Sequence, residues 1–341
     1  MDKKPLIGMT LAQLRDVAAE CGLPSFAARQ MAAWLYTRRV DSIDAMTDVS
    51  KAGRARLSQN YTVGLQPPIM SAQSTDGTVK YLFTGLNGRN IEAVYIPDRD
   101  RATLCVSSQA GCKMGCTFCM TGRQGYHGSL DAAGIINQIL AIPQSQSLTN
   151  IVFMGMGEPM DNIDAVMQAI EVLTAPWGLA WSPKRITVSS IGKLDTLRTL
   201  LDSTKVHVAI SVHSPFAIER ERLMPVERAY PVAKVIELLR GYDFSHQRRL
   251  SMEYIMWRGV NDDMRHARGL ARLVNGLDCR VNLIRYHVID GDSDSMQPSD
   301  TVTMEAFRDA LNDMGIISTI RTSRGEDIAA ACGMLAGKQQ A

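Results

Sequence analysis

Residues 102–119 read Ala102-Thr-Leu-Cys105-Val-Ser-Ser-Gln-Ala-Gly-Cys112-Lys-Met-Gly-Cys116-Thr-Phe-Cys119. The first six residues have the apolar, β-branched character of a strand, and the rest is a loop with three cysteines spaced C-x3-C-x2-C. Thiolates so close in sequence can converge on one metal centre, and Gly115 lets the loop curl between them. Three ligands suit a cubane iron–sulfur cluster, which keeps one iron open to a non-protein ligand. A structural zinc site takes four, and Cys105 would have to leave its strand to supply the fourth. Seven cysteines in 341 residues are an odd number and too sparse for a disulfide scaffold. Cys21 and Cys279 fall in apolar helix and strand patterns, as packed thiols do.

Downstream of the loop, β-rich runs at 150–154, 185–190, 206–211, 250–256, 280–285 and 318–322 alternate with helical patterns. The helices are expected at 131–142, 163–173, 194–201, 232–239, 263–274 and 304–313. Such alternation builds a parallel α/β sheet with helical crossovers. Counting 102–107 there are six or seven units, short of a closed eightfold barrel. A partial barrel is therefore expected, with its chemistry in the loops after the strand C-termini. Candidate groups stand at those ends: Met154-Gly-Met-Gly157-Glu158-Pro159, Ser189-Ser190, Ser211-Val212-His213, then Asn282 and His287. Small residues in the first let backbone approach a ligand, and Glu158 can accept from an ammonium group.

Upstream, Asp76-Gly77 and Asn87-Gly88 are hairpin signals beside β-rich segments at 80–83 and 91–96. Residues 1–60 read as helical. Thr10 and Gln13 fit a capping box opening a helix over 11–21, with Gly22 as its C-terminal cap. A second helix follows Ser25 and a third covers 51–57. Three segments result: a helical module (1–60), a β-hairpin extension (61–97) and a barrel core (98–341). Residues 290–300 read as a polar loop.

Apolar residues make up 45% and charged residues 21%, which excludes a chain disordered throughout. The net charge of +2 excludes a polycationic nucleic-acid binder, so any such contact needs local patches. Nine basic against six acidic residues in 1–60 make one candidate patch. Arg38, Arg39, Arg54, Arg56, Arg123, Arg248 and Arg249 are candidate contacts. No apolar stretch approaches the ~20 residues of a membrane span, and the N-terminus lacks a signal-peptide core, so a cytoplasmic protein is expected.

The runs 102–119, 154–159, 186–192 and Arg324-Gly-Glu-Asp-Ile-Ala-Ala-Ala-Cys332-Gly resemble the RlmN/Cfr family of radical S-adenosylmethionine (SAM) RNA methyltransferases, over essentially the whole chain. The resemblance implies a partial (βα)6-type radical SAM barrel with a small N-terminal helical RNA-binding domain and a short β-hairpin extension. It implies one 4Fe–4S cluster held by Cys112, Cys116 and Cys119, with the fourth iron open to SAM, and two SAM molecules per turnover. Gly157, Glu158, Ser189, Ser211, Val212 and His213 match cofactor contacts. His287 stands where many relatives carry an asparagine contact. Cys332 matches the cysteine that carries the methyl group, Cys105 the thiol that resolves the intermediate, and Glu92 the proton acceptor. RlmN-type members methylate C2 of an adenosine in the peptidyl-transferase region of 23S rRNA and of one beside the anticodon of tRNA. The implied partners are these RNAs and an electron donor such as flavodoxin or ferredoxin, with the enzyme a monomer free of membrane.

Adenine C2 is an electron-poor aromatic carbon and no nucleophile, so polar methyl transfer fails there and a radical route is needed. Three other readings use the same loop. Cfr-type enzymes methylate C8 of the rRNA adenosine, an activating enzyme makes a radical on a partner protein, and an electron-transfer protein needs no open iron. The last two have no use for Cys105 and Cys332.

Overall fold

The computed structural model describes residues 3–86, 88–246, 248–289 and 296–336. Ten strands form one sheet: β1 (Met70–Gln73), β2 (Val79–Phe83), β3 (Ile91–Asp98), β4 (Arg101–Cys105), β5 (Asn150–Phe153), β6 (Ile186–Ser190), β7 (His207–Ser211), β8 (Leu250–Met256), β9 (Arg280–Arg285) and β10 (Ser318–Ile320). They lie side by side in chain order. Pairing is antiparallel from β1 to β4 and parallel from β4 to β10. Seven parallel strands give six crossovers, so the expected (βα)6 count holds. Among the described residues β1 and β10 do not pair, and the barrel stays open. The hairpin extension is the antiparallel continuation of the barrel sheet, joined through Val94 opposite Cys105. Among the described residues no helix is long and apolar enough to cross a membrane.

The helices are α1 (Leu11–Glu20), α2 (Ala27–Ala32), α3 (Lys51–Asn60), α4 (Met120–Arg123), α5 (Ala132–Leu140), α6 (Ile163–Thr174), α7 (Leu194–Ser203), α8 (Ala217–Leu223), α9 (Val232–Leu239), α10 (Met264–Val274) and α11 (Thr301–Asp313). Local chemistry sets their starts. Thr10 and Gln13 close the capping box on α1, and Asp131, Asp263 and Asp300 cap α5, α10 and α11 by accepting backbone N–H groups. Helix α11 begins three residues before its expected start because Asp300, not the apolar periodicity, decides it. Strand β1 and helices α4 and α8 were not expected, since none has enough length or alternation to show a period. The Asn87-Gly88 signal and the 290–300 loop fall partly outside the described residues.

One hydrophobic core runs from the N-terminal helices through both faces of the sheet. A smaller cluster of Cys116, Phe118, Leu223, Met224, Trp257 and Tyr286 sits at the strand C-termini, beneath the cysteine loop.

Candidate active site

The cysteine loop leaves the short strand Gln109–Gly111, which pairs with Tyr126–Ser129. At Gly111, φ is +76°, and a Cβ there would lie 1.9 Å from the Gly125 carbonyl oxygen; only glycine fits. That same carbonyl accepts from Cys112 N–H at 2.9 Å, and Thr117 N–H is bound by Leu223 O at 3.0 Å. Phe118 meets the His213 ring edge-on at 4.9 Å between centroids. Cys112, Cys116 and Cys119 consequently line one cavity. Burial, then the neighbouring thiols Cys119 and Cys112, pushes Cys116 well above the ordinary thiol range. Cys112 is raised to about 12, mainly by burial.

Among the described residues no three His, Cys, Asp or Glu side chains stand in single-ion coordination range. In a cubane the three thiolates bind three different irons and stand further apart than the ligands of one ion. Three thiols in one loop, C-x3-C-x2-C, on one cavity are the donor set that a cubane with an open iron takes, and iron would reverse the pKa shifts by favouring thiolates.

The opposite wall is built from strand ends. Gly155 packs so closely that a Cβ would lie 2.7 Å from Ser107 Oγ. Glu158 follows, 5% exposed, its carboxylate accepting from Met160 N–H at 3.0 Å and Ile191 N–H at 3.1 Å. Burial raises its pKa to about 7, against the lowering effect of the Ser190 hydroxyl and those two N–H groups. An arriving ammonium group would favour its ionised form. Ser189 and Ser211 line the cavity beside it. Burial, aided by the charge on Arg220, lowers His213 to about 3. Its Nδ1 accepts from Ile255 N–H at 3.1 Å, so the neutral ring carries its proton on Nε2 as a donor. This mixture of a buried acceptor, hydroxyls, a ring donor and apolar side chains suits a zwitterionic sulfonium nucleoside such as SAM.

Val212 does not line the cavity. Its side chain is fully buried, its N–H bonds Glu253 O, and its carbonyl takes Arg220 Nε at 3.1 Å. Sequence reasoning missed Arg321, which lines both cavities, and two further residues that shape the site. Glu253 lines the cavity with Oε1 bound by Asn282 and Ser251 at 2.8 Å each. The available signal was a lone acid inside the apolar run of β8. Arg220, wholly buried, donates to the carbonyls of Ser211, Val212 and Ile191 and pairs with Glu227, tying the ends of β6 and β7 together.

Cys332 lies on a C-terminal strap that crosses the strand ends. It lines the cysteine-loop cavity and also a second cavity of about 310 Å³, walled by Asp98, Arg101, Thr103, His287, Arg324 and Ala330. That volume is at the lower end for small-molecule sites. Cys332 is exposed as a residue, yet surrounding protein raises the pKa of its thiol by desolvation. Cys105, at the end of β4, is pushed up to about 12 by burial and by Cys332 beside it. Arg321 serves both thiols: burial would lower its pKa, but Glu253, Cys332 and Cys105 hold it above the ordinary value.

Two expected residues stand apart from the cofactor cavity. His287 faces the second one, with Nδ1 3.4 Å from Glu326 on the strap. Glu92, 1% exposed, lies behind the strap and pairs with Lys80. Several arginines named as RNA contacts are already committed. Arg54 and Arg56 donate to the Val49 and Cys21 carbonyls, Arg39 to Ser145 Oγ, and buried Arg248 to the Leu201 carbonyl.

A three-cysteine loop facing a polar cavity at the open end of a (βα)6 sheet defines a radical SAM enzyme, and the Radical SAM superfamily pattern matches residues 106–270. The ribosomal RNA large subunit methyltransferase N-terminal domain matches residues 4–63. A "probable dual-specificity RNA methyltransferase RlmN" of Parabacteroides distasonis is 55% identical over 98% of this chain and 97% of its own length. The dual-specificity RNA methyltransferase RlmN of Syntrophotalea carbinolica is 39% identical over 98% and 90%. The crystal structure of a radical SAM methyltransferase from Sphaerobacter thermophilus matches with a TM-score of 0.92 and 37% identity, covering 98% of this chain and all of that one. The chain belongs to the RlmN family of radical SAM RNA methyltransferases.

Proposed function

We propose that this protein methylates C2 of an adenosine in 23S rRNA and in tRNA through an S-methylcysteine on Cys332. The observation that supports it best is Cys332 on the wall shared by the cysteine-loop cavity and the arginine-lined second cavity. A cluster on Cys112, Cys116 and Cys119, with two SAM molecules per turnover, would supply a methyl group and then a hydrogen-abstracting radical. The residues of the chain do the rest. Glu158 binds the ammonium of SAM, while Ser189, Ser211 and His213 orient its nucleoside part, with Gly157 contributing backbone and Val212 packing behind the cavity wall. The target adenosine, drawn from its stack, enters the second cavity, with Arg101 and Arg324 facing its phosphates and His287 its base.

Cys332 loses a hydrogen atom from its methyl group and bonds to C2. The C2 proton is lost through the mouth of the second cavity, since Glu92, the acceptor that the family resemblance implies, is held behind the strap by Lys80 and Ala336 N–H. Cys105 then attacks the Cys332 sulfur as a thiolate, the carbon–sulfur bond breaks, and the released carbon takes up a proton to become the methyl group. A disulfide is left as methylated RNA departs, the one surplus electron of the adduct returning to the cluster that Cys112, Cys116 and Cys119 would hold. Electrons come from a flavodoxin or ferredoxin in the cytoplasm, and the enzyme acts as a monomer. Residues 1–60 form the RNA-binding module, 61–97 the extension and 98–341 the catalytic core.

Wild-type enzyme should yield 2-methyladenosine, read by nucleoside mass spectrometry. Cys332→Ala should yield none. Cys105→Ala should accumulate RNA covalently attached through Cys332 on a denaturing gel. Normal turnover by Cys105→Ala, with no adduct, would overturn the two-cysteine scheme, and 8-methyladenosine would move the site of attack.

A further inference from the structure

The strap that carries Cys332 is tied down at both ends by one buried ion pair. Lys80, on β2, and Glu92, on β3, are diagonal neighbours across the antiparallel extension, since Lys80 lies opposite Val94 and Glu92 opposite Leu82. Their side chains are 8% and 2% exposed, with Nζ 3.3 Å from Oε1. Lys80 also donates to the Ala329 carbonyl at 3.3 Å, three residues before Cys332. The other oxygen of Glu92 accepts Ala336 N–H at 2.7 Å, four residues after it. Ala329 has φ +50°, a left-handed conformation that an alanine keeps only when its surroundings impose it.

Further ties lie on either side of this pair. Asp76 accepts Gly325 N–H at 2.9 Å, and Asp327 accepts the Ser74 hydroxyl at 2.6 Å. On the side of the cluster, Met120 N–H donates to Gly333 O at 2.8 Å and Thr121 Oγ1 to Leu335 O at 2.7 Å. A buried ion pair is a poor source of stability, because apolar residues of similar volume usually do as well. It does fix direction, since a carboxylate and an ammonium with buried partners hold one geometry.

We propose that Lys80 is a positioning residue for Cys332, acting through Glu92 and Ala329 to hold the thiol between the two cavities. The extension sheet then has a task in the reaction. It is the bench on which the methyl carrier is clamped, so that the carrier's methyl group faces the cofactor on one side and the adenosine on the other. The inference rests on Cys332 being the carrier, which is checked separately by finding S-methylcysteine at Cys332 in the wild-type protein by peptide mass spectrometry.

The test uses anaerobically reconstituted full-length enzyme carrying Lys80→Met, Lys80→Gln or Lys80→Arg. Gln keeps a donor for the Ala329 carbonyl and serves if the Met variant does not fold. Iron content and release of 5′-deoxyadenosine should stay near wild type in the Met and Gln variants. RNA methylated per 5′-deoxyadenosine released should fall by about tenfold or more, within the ~100-fold that misplacement by an ångström can cost. Hydrogen exchange across residues 325–336 should quicken, and Arg should restore the coupling. Wild-type coupling in the Met and Gln variants would overturn the proposal. So would a parallel fall of iron, cofactor cleavage and methylation, which marks a purely structural lysine. Absence of methyl from wild-type Cys332 would sink the carrier reading itself, whatever the Lys80 variants do.

Discussion

His213 shows how much one side chain can be asked to do. It occupies the end of β7 in a left-handed conformation, φ +57°, fully enclosed and neutral. Its folded pKa, about 3, lies below the unfolded value near 6.5. The unfolded chain therefore binds a proton between these limits that the native protein refuses, and stability is lost as pH falls through that window. The loss should approach about 1 kcal/mol per pH unit. Glu158, raised to about 7, acts in the opposite sense and His207, lowered to about 4, in the same one, so the measurement is a difference. In urea unfolding of the metal-free protein the stability of wild type relative to His213→Gln should fall by this slope from pH 7 to 6 to 5. A slope unchanged by the substitution would place the acid sensitivity elsewhere. At this scale the sequence was most legible for the residues that define a motif: the cysteine triplet, Glu158, Ser189, Ser211 and His213 all line one cavity. It was least legible where spacing carries no information about direction. Val212 sits between two cavity residues yet points into the core, because a strand end alternates faces.

Elements were placed by periodicity almost wherever a period existed. Strands β8 and β9 and helix α9 fall on their expected bounds, because β-rich runs with apolar residues at alternate positions, or an i, i+3, i+4 pattern in the helix, extend over their length. The seven-residue helix α8 was missed, and it carries Arg220, the residue that fastens β6 to β7. Replacing Arg220 with Met strands the Glu227 carboxylate and frees three carbonyls at the cavity rim. Breaking a buried pair in this way costs about 3–5 kcal/mol. Thermal melting should drop accordingly, and a paired Arg220→Met/Glu227→Leu variant should recover part of the loss. A single variant that melts like wild type would show that solvent reaches the pair.

Across the whole molecule, the N-terminal helices are bound into the same core as the barrel. Tyr36 packs against Trp177 at 5.9 Å between centroids, the Gly8 backbone lies against Ala132 and Ala133, and Gln168 donates to Gly8 O at 2.7 Å. Composition and charge had marked residues 1–60 as a separable patch, since a sequence pattern shows which face is apolar and not what covers it. Deleting residues 1–63 should therefore uncover the faces of α5 and α6. The truncated chain should melt lower and be cut faster by protease than the full chain, before any question of RNA affinity arises. Equal melting of the two would make the module an independent appendage.

The thiol shared by two cavities also bears on inhibition. On the function proposed above, a compound that joined adenine to a sulfonium amino acid by a short spacer would reach into both spaces and its spacer would pass the wall that Cys332 forms. On that reading the carrier itself obstructs mimicry of both reactants at once, and each cavity calls for a ligand of its own.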